Sequence, residues 1–262
     1  MPPRSTAPAS NQTADKLLGV LEAFAFEPQP AKLSELARKL GMNVSTLYRF
    51  TTSLQKCGYV EQLADGRYQI SLKLCYLADR VQRRQDMTVA LHPFATEACA
   101  LFSESAHIAV ADGSMILYTD NVISSARTLT IQQHIGKTAP MYVTGIGKLF
   151  LSELEPAALD AYIKETGLKP YTPNTVTSKE ALLGEFAFFR ENGFVYDNEE
   201  CEPGVRCVAV PVRNYSGRIA AGLSISGPAS RLSKEAAEKH VEALKDIALR
   251  ASKALGYVEP EK

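Results

Sequence analysis

Hydrophobic positions recur every three to four residues through the first third of the chain. Leu17, Leu18, Leu21 and Phe24 form one stripe, Leu33, Leu36, Ala37 and Leu40 a second, and Leu47, Phe50, Thr51 and Leu54 a third. Each stripe predicts a helix with one inward face. Thr13–Asp15 is placed to cap the first helix, and the Pro28–Pro30 break ends it. Between the second and third helices, Gly41 suits the left-handed residue that closes a helix, and Asn43 or Ser45 suits a cap for the next. A hairpin with Asp65-Gly66 at its tip follows. Three helices and a hairpin in this order predict a helix-turn-helix with a wing.

The outward side of the third helix carries Ser45, Thr46, Tyr48, Arg49 and Thr52, and Asn43 and Val44 open it. Short hydroxyls, a phenol and a guanidinium suit base edges and phosphates, and Arg67 at the wing suits a phosphate or a minor groove. The same residues also fit a solvated face on a helical pair that binds no nucleic acid.

Beyond this unit, Leu72, Leu74, Leu77, Ala78 and Val81 predict a linking helix, with Arg80, Arg83 and Arg84 facing out. From Met87 the pattern alternates between helical and strand periods. Pro93 is expected to begin a helix, and His107–Ala111 with Met115–Tyr118 to form a hairpin around Asp112-Gly113. Thr128–His134 is expected to be a strand. Helices are predicted over Gly145–Leu154, Glu155–Thr166, Ser178–Asn192 and Ser233–Leu255, and strands over Phe194–Tyr196, Cys207–Arg213 and Arg218–Ser226. The fold class is therefore α+β, with one sheet bearing helices on its faces.

Composition narrows the function classes. A chain of 262 residues, 45% hydrophobic, fills two cores. No run reaches the ~20 apolar residues of a spanning helix, so a cytoplasmic protein without a membrane role is expected. Five scattered cysteines form neither a disulfide framework nor a zinc spacing, so no metal and no cofactor are expected. Residues 1–86 hold 12 Lys+Arg against 8 Asp+Glu, the rest 17 against 21, which puts a basic head on an acidic body. Gly145-Ile-Gly147-Lys148 lacks the leading glycine and trailing hydroxyl of a phosphate loop.

Three blocks in order, LSELARKLGMNVSTLYRFTTSLQKCGYV, GKTAPMYVTGIGKLFLSEL and GFVYDNEECEPGVRCVAVPVRNYSGRIAAGLSISGP, resemble the IclR family of bacterial transcriptional regulators over nearly the whole chain. Residues 1–12, rich in Pro, Ser and Ala, are expected to form a flexible arm; the resemblance implies a winged helix-turn-helix domain (13–71), a linker helix (72–86) and a GAF-like effector-binding domain (87–258). It implies a regulator, not an enzyme, that binds a double-stranded DNA operator as a homodimer or dimer of dimers and answers to a small-molecule effector. Matched position by position, the effector pocket falls on Thr128, Ile131, Ala139, Gly145, Ile146, Asp197, Val205, Cys207, Ser224 and Ser226. The family's Asp-x-Glu-Glu pattern stands as Asp197, Glu199 and Glu200. The chain departs from the family in having Tyr142 where a histidine is common and Ile146 where a small residue is common.

A carboxylic acid suits such a pocket, since the start of the Gly145 helix offers N–H groups, glycines allow close approach, and Ser224 and Ser226 share one strand face. Two other readings stay open: a thiol-dependent enzyme using Cys207 with Asp197 on a small acid, and a DNA-binding oligomer without ligand. By residue chemistry alone, Cys207 also suits a buried core position, and Asp197, Glu199 and Glu200 a structural turn.

Overall fold

In the computed structural model residues 11–82 and 87–259 are described, and the chain divides into two compact units between Gln82 and Met87. The first comprises α1 (Gln12–Phe26), α2 (Leu33–Lys39), α3 (Val44–Lys56), β1 (Val60–Gln62), β2 (Tyr68–Ile70) and α4 (Lys73–Gln82). Val20, Phe24, Leu36, Ala37, Leu47, Leu54, Val60 and Tyr68 form its core. Burial follows the 17–20/21–24 line of α1, so Leu18, a turn-fraction away, faces out, contrary to the expected stripe. The cap also differs from expectation: Asn11 Oδ1 accepts from the N–H groups of Thr13 and Ala14, and the helix begins one residue before Thr13. Gly41 at φ 61° turns the chain from α2 into α3. The wing is the antiparallel β1–β2 pair, Val60 opposite Ile70. Of the expected flexible arm, residues 1–10 lie outside the described residues, as do Arg83, Arg84 and the side chain of Arg80.

The second unit is built on six strands in the order β5-β4-β3-β8-β7-β6, every pairing antiparallel. They are β3 (Ser105–Asp112), β4 (Met115–Val122), β5 (Thr138–Pro140), β6 (Val195–Asn198), β7 (Val205–Arg213) and β8 (Ile219–Pro228). Ile108, Val208, Val210, Leu223 and Ile225 point to one face, where α5 (Met87–Phe102) and α9 (Lys234–Ala254) cover them through Leu91, Ala98, Leu244 and Ala248. Ala109, Ile116, Ala209 and Val195 point to the other, beneath α6 (Gly145–Leu151), α7 (Pro156–Thr166) and α8 (Lys179–Asn192). Period-two alternation along β3, β7 and β8 thus builds two cores from one sheet.

Two expected elements differ. Pro93 sits inside α5, six residues after its start. Proline withholds one helical N–H, and burial of Leu91, Ala95 and Ala98 on both sides of it keeps the helix continuous. Thr128–His134 is not a strand. Its β-branched alternation is overridden because side chains take its carbonyls: Arg231 donates to Leu129 O at 2.7 Å and Asn121 to Gln133 O at 2.7 Å. The short β5 pairs with β4 instead.

Candidate functional site

The outer face of α3 presents Asn43, Val44, Ser45, Tyr48 and Arg49 to solvent, with Thr46 and Thr52 half-buried. Tyr48, 55% exposed beside half-exposed Val44, is an aromatic that no part of this unit's core uses. Thr52 is partly committed, since its hydroxyl donates to Tyr48 O at 2.8 Å. Arg67 is not a free cation at the wing: its Nε donates to Asp65 Oδ2 at 2.7 Å. Alongside α3 runs a groove of about 610 Å³ lined by Thr13, Lys16, Thr46, Arg49 and Ser53 among others. Two cations flanked by hydroxyls fit a phosphate backbone. Lys16 escaped the sequence reading because it belongs to α1, and only tertiary packing brings it beside Arg49.

In the second unit, strand register gathers polar residues on the sheet face beneath α6. One row runs across four strands: Asp197 opposite Cys207, Cys207 opposite Ser226, Ser226 opposite Ser105. The next row is Ala209, Ser224, His107 and Asn121. Facing residues of adjacent strands share a side, so these polar groups lie on the α6 face along with Ala209. Tyr118 stands over the same area, its ring edge-on to His107 with centroids 5.9 Å apart. Burial pushes its phenol well up, and Cys207, Cys201 and Asp197 add to the shift.

Of the residues the resemblance implies, Asp197, Cys207, Ser224 and Ser226 come together in these rows. Val205 lies on the same side as Cys207, half-buried at the start of β7 opposite Pro228. Ala139 pairs with Ile116 at the β5 edge and packs into the apolar part of the face. Thr128 and Ile131 are not drawn in: they sit in the irregular segment before β5, Thr128 exposed and Ile131 half-buried. Ser105, His107, Tyr118 and Asn121 were missed, although Ser105, His107 and Ala109 alternate with Ala106, Ile108 and Val110 in the sequence.

The glycines around α6 serve packing. A Cβ on Gly147 would lie 2.2 Å from Met141 backbone atoms, and one on Gly145 would meet Ala209 Cβ at 3.0 Å. Gly147 therefore seats α6 on the 3₁₀ turn Met141–Val143 and is not an approach for a ligand. Ile146 presses on β8, where a Cβ at Gly222 would be 2.5 Å from its Cγ2; the added bulk of isoleucine is accommodated by a missing side chain. Thr144 caps α6 by accepting from Gly147 N–H at 3.1 Å. Tyr142 is a tie, its hydroxyl donating to Lys169 O at 2.7 Å.

Lys148 explains the Asp-x-Glu-Glu pattern. Its ammonium, fully buried, donates to Glu200 Oε1 at 2.6 Å, Glu185 Oε2 at 3.0 Å and Tyr196 O at 2.9 Å. Asp197 Oδ1 accepts from Glu200 N–H at 2.8 Å and from Cys201 N–H at 3.3 Å. Between them Glu199 takes φ 60°, its carboxylate receiving Gly204 N–H at 2.9 Å. Glu199 and Glu200 thus belong to a structural turn, and Asp197 both closes that turn and borders the polar rows. Burial, reinforced by the nearby Glu200 charge, pushes the Asp197 carboxyl up to about 7 against the opposing pull of the Glu200 N–H and Lys148. Burial and Asp197 also drive the Cys207 thiol well up, and Ser226 Oγ donates to its sulfur at 3.0 Å. Such a thiol is a poor nucleophile. Among the described residues, no group of three or more His, Cys, Asp or Glu could hold a metal ion, and no helix is long and apolar enough to cross a membrane.

Comparison with known proteins covers both units. Residues 13–64 match the family described as the IclR helix-turn-helix domain, and residues 80–253 the one described as Bacterial transcriptional regulator IclR C-terminal. The HTH-type transcriptional regulator KdgR of Escherichia coli is 34% identical over 251 residues, 95% of each chain. XynR of the same organism is 31% identical over 247 residues, 94% of this chain and 98% of its own. The crystal structure of Thermotoga maritima IclR superposes with a TM-score of 0.62 at 32% identity, covering 94% of this chain and 99% of that one.

Two predictions follow from the buried charges. Lys148→Met strands the Glu200 carboxylate and is expected to cost ~3–5 kcal/mol in urea unfolding followed by circular dichroism. Lys148→Met with Glu200→Gln should recover a large part of that loss; no recovery would remove the pair from its assigned role. For Asp197 the folded value lies above the unfolded one, so its stabilising contribution is complete below about pH 4 and disappears as pH rises through about 7. Wild type should therefore lose stability relative to Asp197→Asn between about pH 4 and 7. His107, held down near 4 by burial, has the opposite slope between about 4 and 6.5, but it is common to both proteins and cancels in the difference.

Proposed function

This chain belongs to the IclR family of bacterial transcriptional regulators and is a DNA-binding transcriptional regulator; on that premise we propose that its DNA binding is controlled by a small carboxylic acid held on the polar rows beneath α6. The observation that carries the reading is the placement of Asp197, Cys207, Ser224 and Ser226 on one buried sheet face, in a chain that also bears a winged helix. The hydroxyl of Ser224 and a protonated Asp197 are hydrogen-bond donors to a carboxylate, Ser226 spends its own proton on Cys207, and the Gly145 and Ile146 N–H groups begin α6 beside them. Lys148 is saturated by Glu200 and Glu185, so charge at this face is met by hydroxyls and dipoles.

On DNA, a homodimer sets two α3 helices in successive major grooves of a near-palindromic operator, about 34 Å apart. Asn43, Val44, Ser45, Thr46, Tyr48, Arg49 and Thr52 face the bases, and Arg67 with Lys16 the phosphates. An acid that binds the two arrangements of the heads unequally shifts operator affinity. The thiol-enzyme reading loses ground to the raised Cys207 thiol, which burial and an adjacent carboxyl keep protonated.

Selection of bound fragments from genomic DNA supplies the operator, and titrations with a panel of small aliphatic and aromatic carboxylic acids supply the response. At least one acid should raise the melting temperature saturably and change operator affinity; a panel that does neither refutes control by such an acid. Arg49→Ala is expected to weaken operator binding by ~1–3 kcal/mol and relax sequence preference. Lys16→Ala should weaken binding evenly across sequences and lower the salt slope by about 1. A Lys16 variant with an unaltered slope would remove this lysine from the interface.

A further inference from the structure

The polar face is satisfied on one side and unsatisfied on the other. At the β6–β7 side, Asp197 accepts two N–H groups and Ser226 donates to Cys207. At the β3–β4 side, Ser105 Oγ, both ring nitrogens of His107 and Asn121 Oδ1 are buried without a hydrogen-bond partner among the described residues. His107 is wholly buried, and a buried polar group left unpaired is costly, so four such atoms side by side ask for an explanation. They are adjacent by register: His107 lies between Ser224 and Asn121, and Ser105 is two residues along the same strand face. Asp120, the neighbouring acid on β4, does not serve them. It points to the opposite face and meets His92 Nδ1 at 2.9 Å.

We propose that the effector site continues from the Cys207–Ser226 row across β8 to His107, Ser105 and Asn121, and that this second half receives a hydroxyl at the far end of the ligand from its carboxylate. The inference rests on the effector reading above and specifies the class of acid. From β7 to β3 is two strand spacings, roughly 10 Å, so an acid of two or three carbons fills one half only. The chemistry of the second half selects its partner. Asn121 already donates through Nδ2 to Gln133 O, so its free atom only accepts. Burial keeps the imidazole neutral, with one donor and one acceptor nitrogen. A hydroxyl both donates and accepts and matches the set. A second carboxylate only accepts, and it would face Asn121 Oδ1 and the acceptor nitrogen without a compensating cation.

The test uses the full-length protein with three six-carbon probes, hexanoate, 6-hydroxyhexanoate and adipate, measured by calorimetry and thermal shift. Wild type should bind 6-hydroxyhexanoate at least about ten-fold more tightly than hexanoate, with adipate no tighter than hexanoate. In His107→Leu the ratio of the two dissociation constants should fall towards one. The unliganded His107→Leu protein should melt no lower than wild type, because an unpaired polar group has been replaced by an apolar one. Ser105→Ala, which barely alters volume, should lower the ratio without a change in fold. Equal binding of hexanoate and 6-hydroxyhexanoate by wild type, or an undiminished ratio in both variants, would overturn the extension while leaving acid binding at the Cys207 half intact. If none of the three probes binds wild type, the extension and the acid reading fall together.

Discussion

The second unit depends on a single buried ammonium. Lys148 leaves α6 on its inner side and gathers carboxylates from α8 and from the turn after β6, together with a β6 carbonyl. Desolvating a lysine is expensive, and here three acceptors offset the cost. Well-packed apolar side chains often match such a network in energy, but a methylene cluster has no directionality. The charged network fixes the distance between α6 and the turn, and hence how Asp197 and Gly145 face one another. Thr172 and Thr175 brace the same turn from outside, donating to Glu199 O and Glu200 O at 2.7 Å each. The polar rows owe their shape to this scaffold as much as to their own strands.

The fold was largely legible because its signals are local. A helical stripe such as Leu47–Leu54 needs only its own neighbours to declare itself, and so does the Asp112-Gly113 turn between β3 and β4. What failed to show were cases in which distant groups overrode local preference. Thr128–His134 has strand-like residues, but Arg231, a hundred residues away, holds its backbone out of the ladder. Pro93 looks like a helix start until the apolar residues on either side of it find α9 and the sheet.

The site divides along the same line. Ser224 and Ser226 alternate within one strand and can be paired by inspection. His107 joins them only because β3 lies beside β8, a pairing between strands more than a hundred residues apart. Likewise, no spacing distinguishes an exposed helical lysine from one that ends against Glu200, so Lys148 carried no visible message except the absence of a phosphate loop. Lys16 is the parallel case in the first unit: its relation to Arg49 exists only after α1 and α3 pack.

The Asp65–Arg67 pair at the wing changes what the tip of the hairpin does for recognition. An arginine that must leave a carboxylate to reach a phosphate exchanges one anionic partner for another, so its gain is small on a generic polyanion. The vacated Asp65 would then repel a phosphate that does not take its place on the guanidinium. If Arg67 meets the backbone as proposed, the wing acts as a gauge of backbone geometry, rewarding a groove of the right width and penalising indiscriminate adhesion. A protein searching a long duplex benefits from such a damped cation, because weak non-specific contacts shorten the time spent at wrong sites.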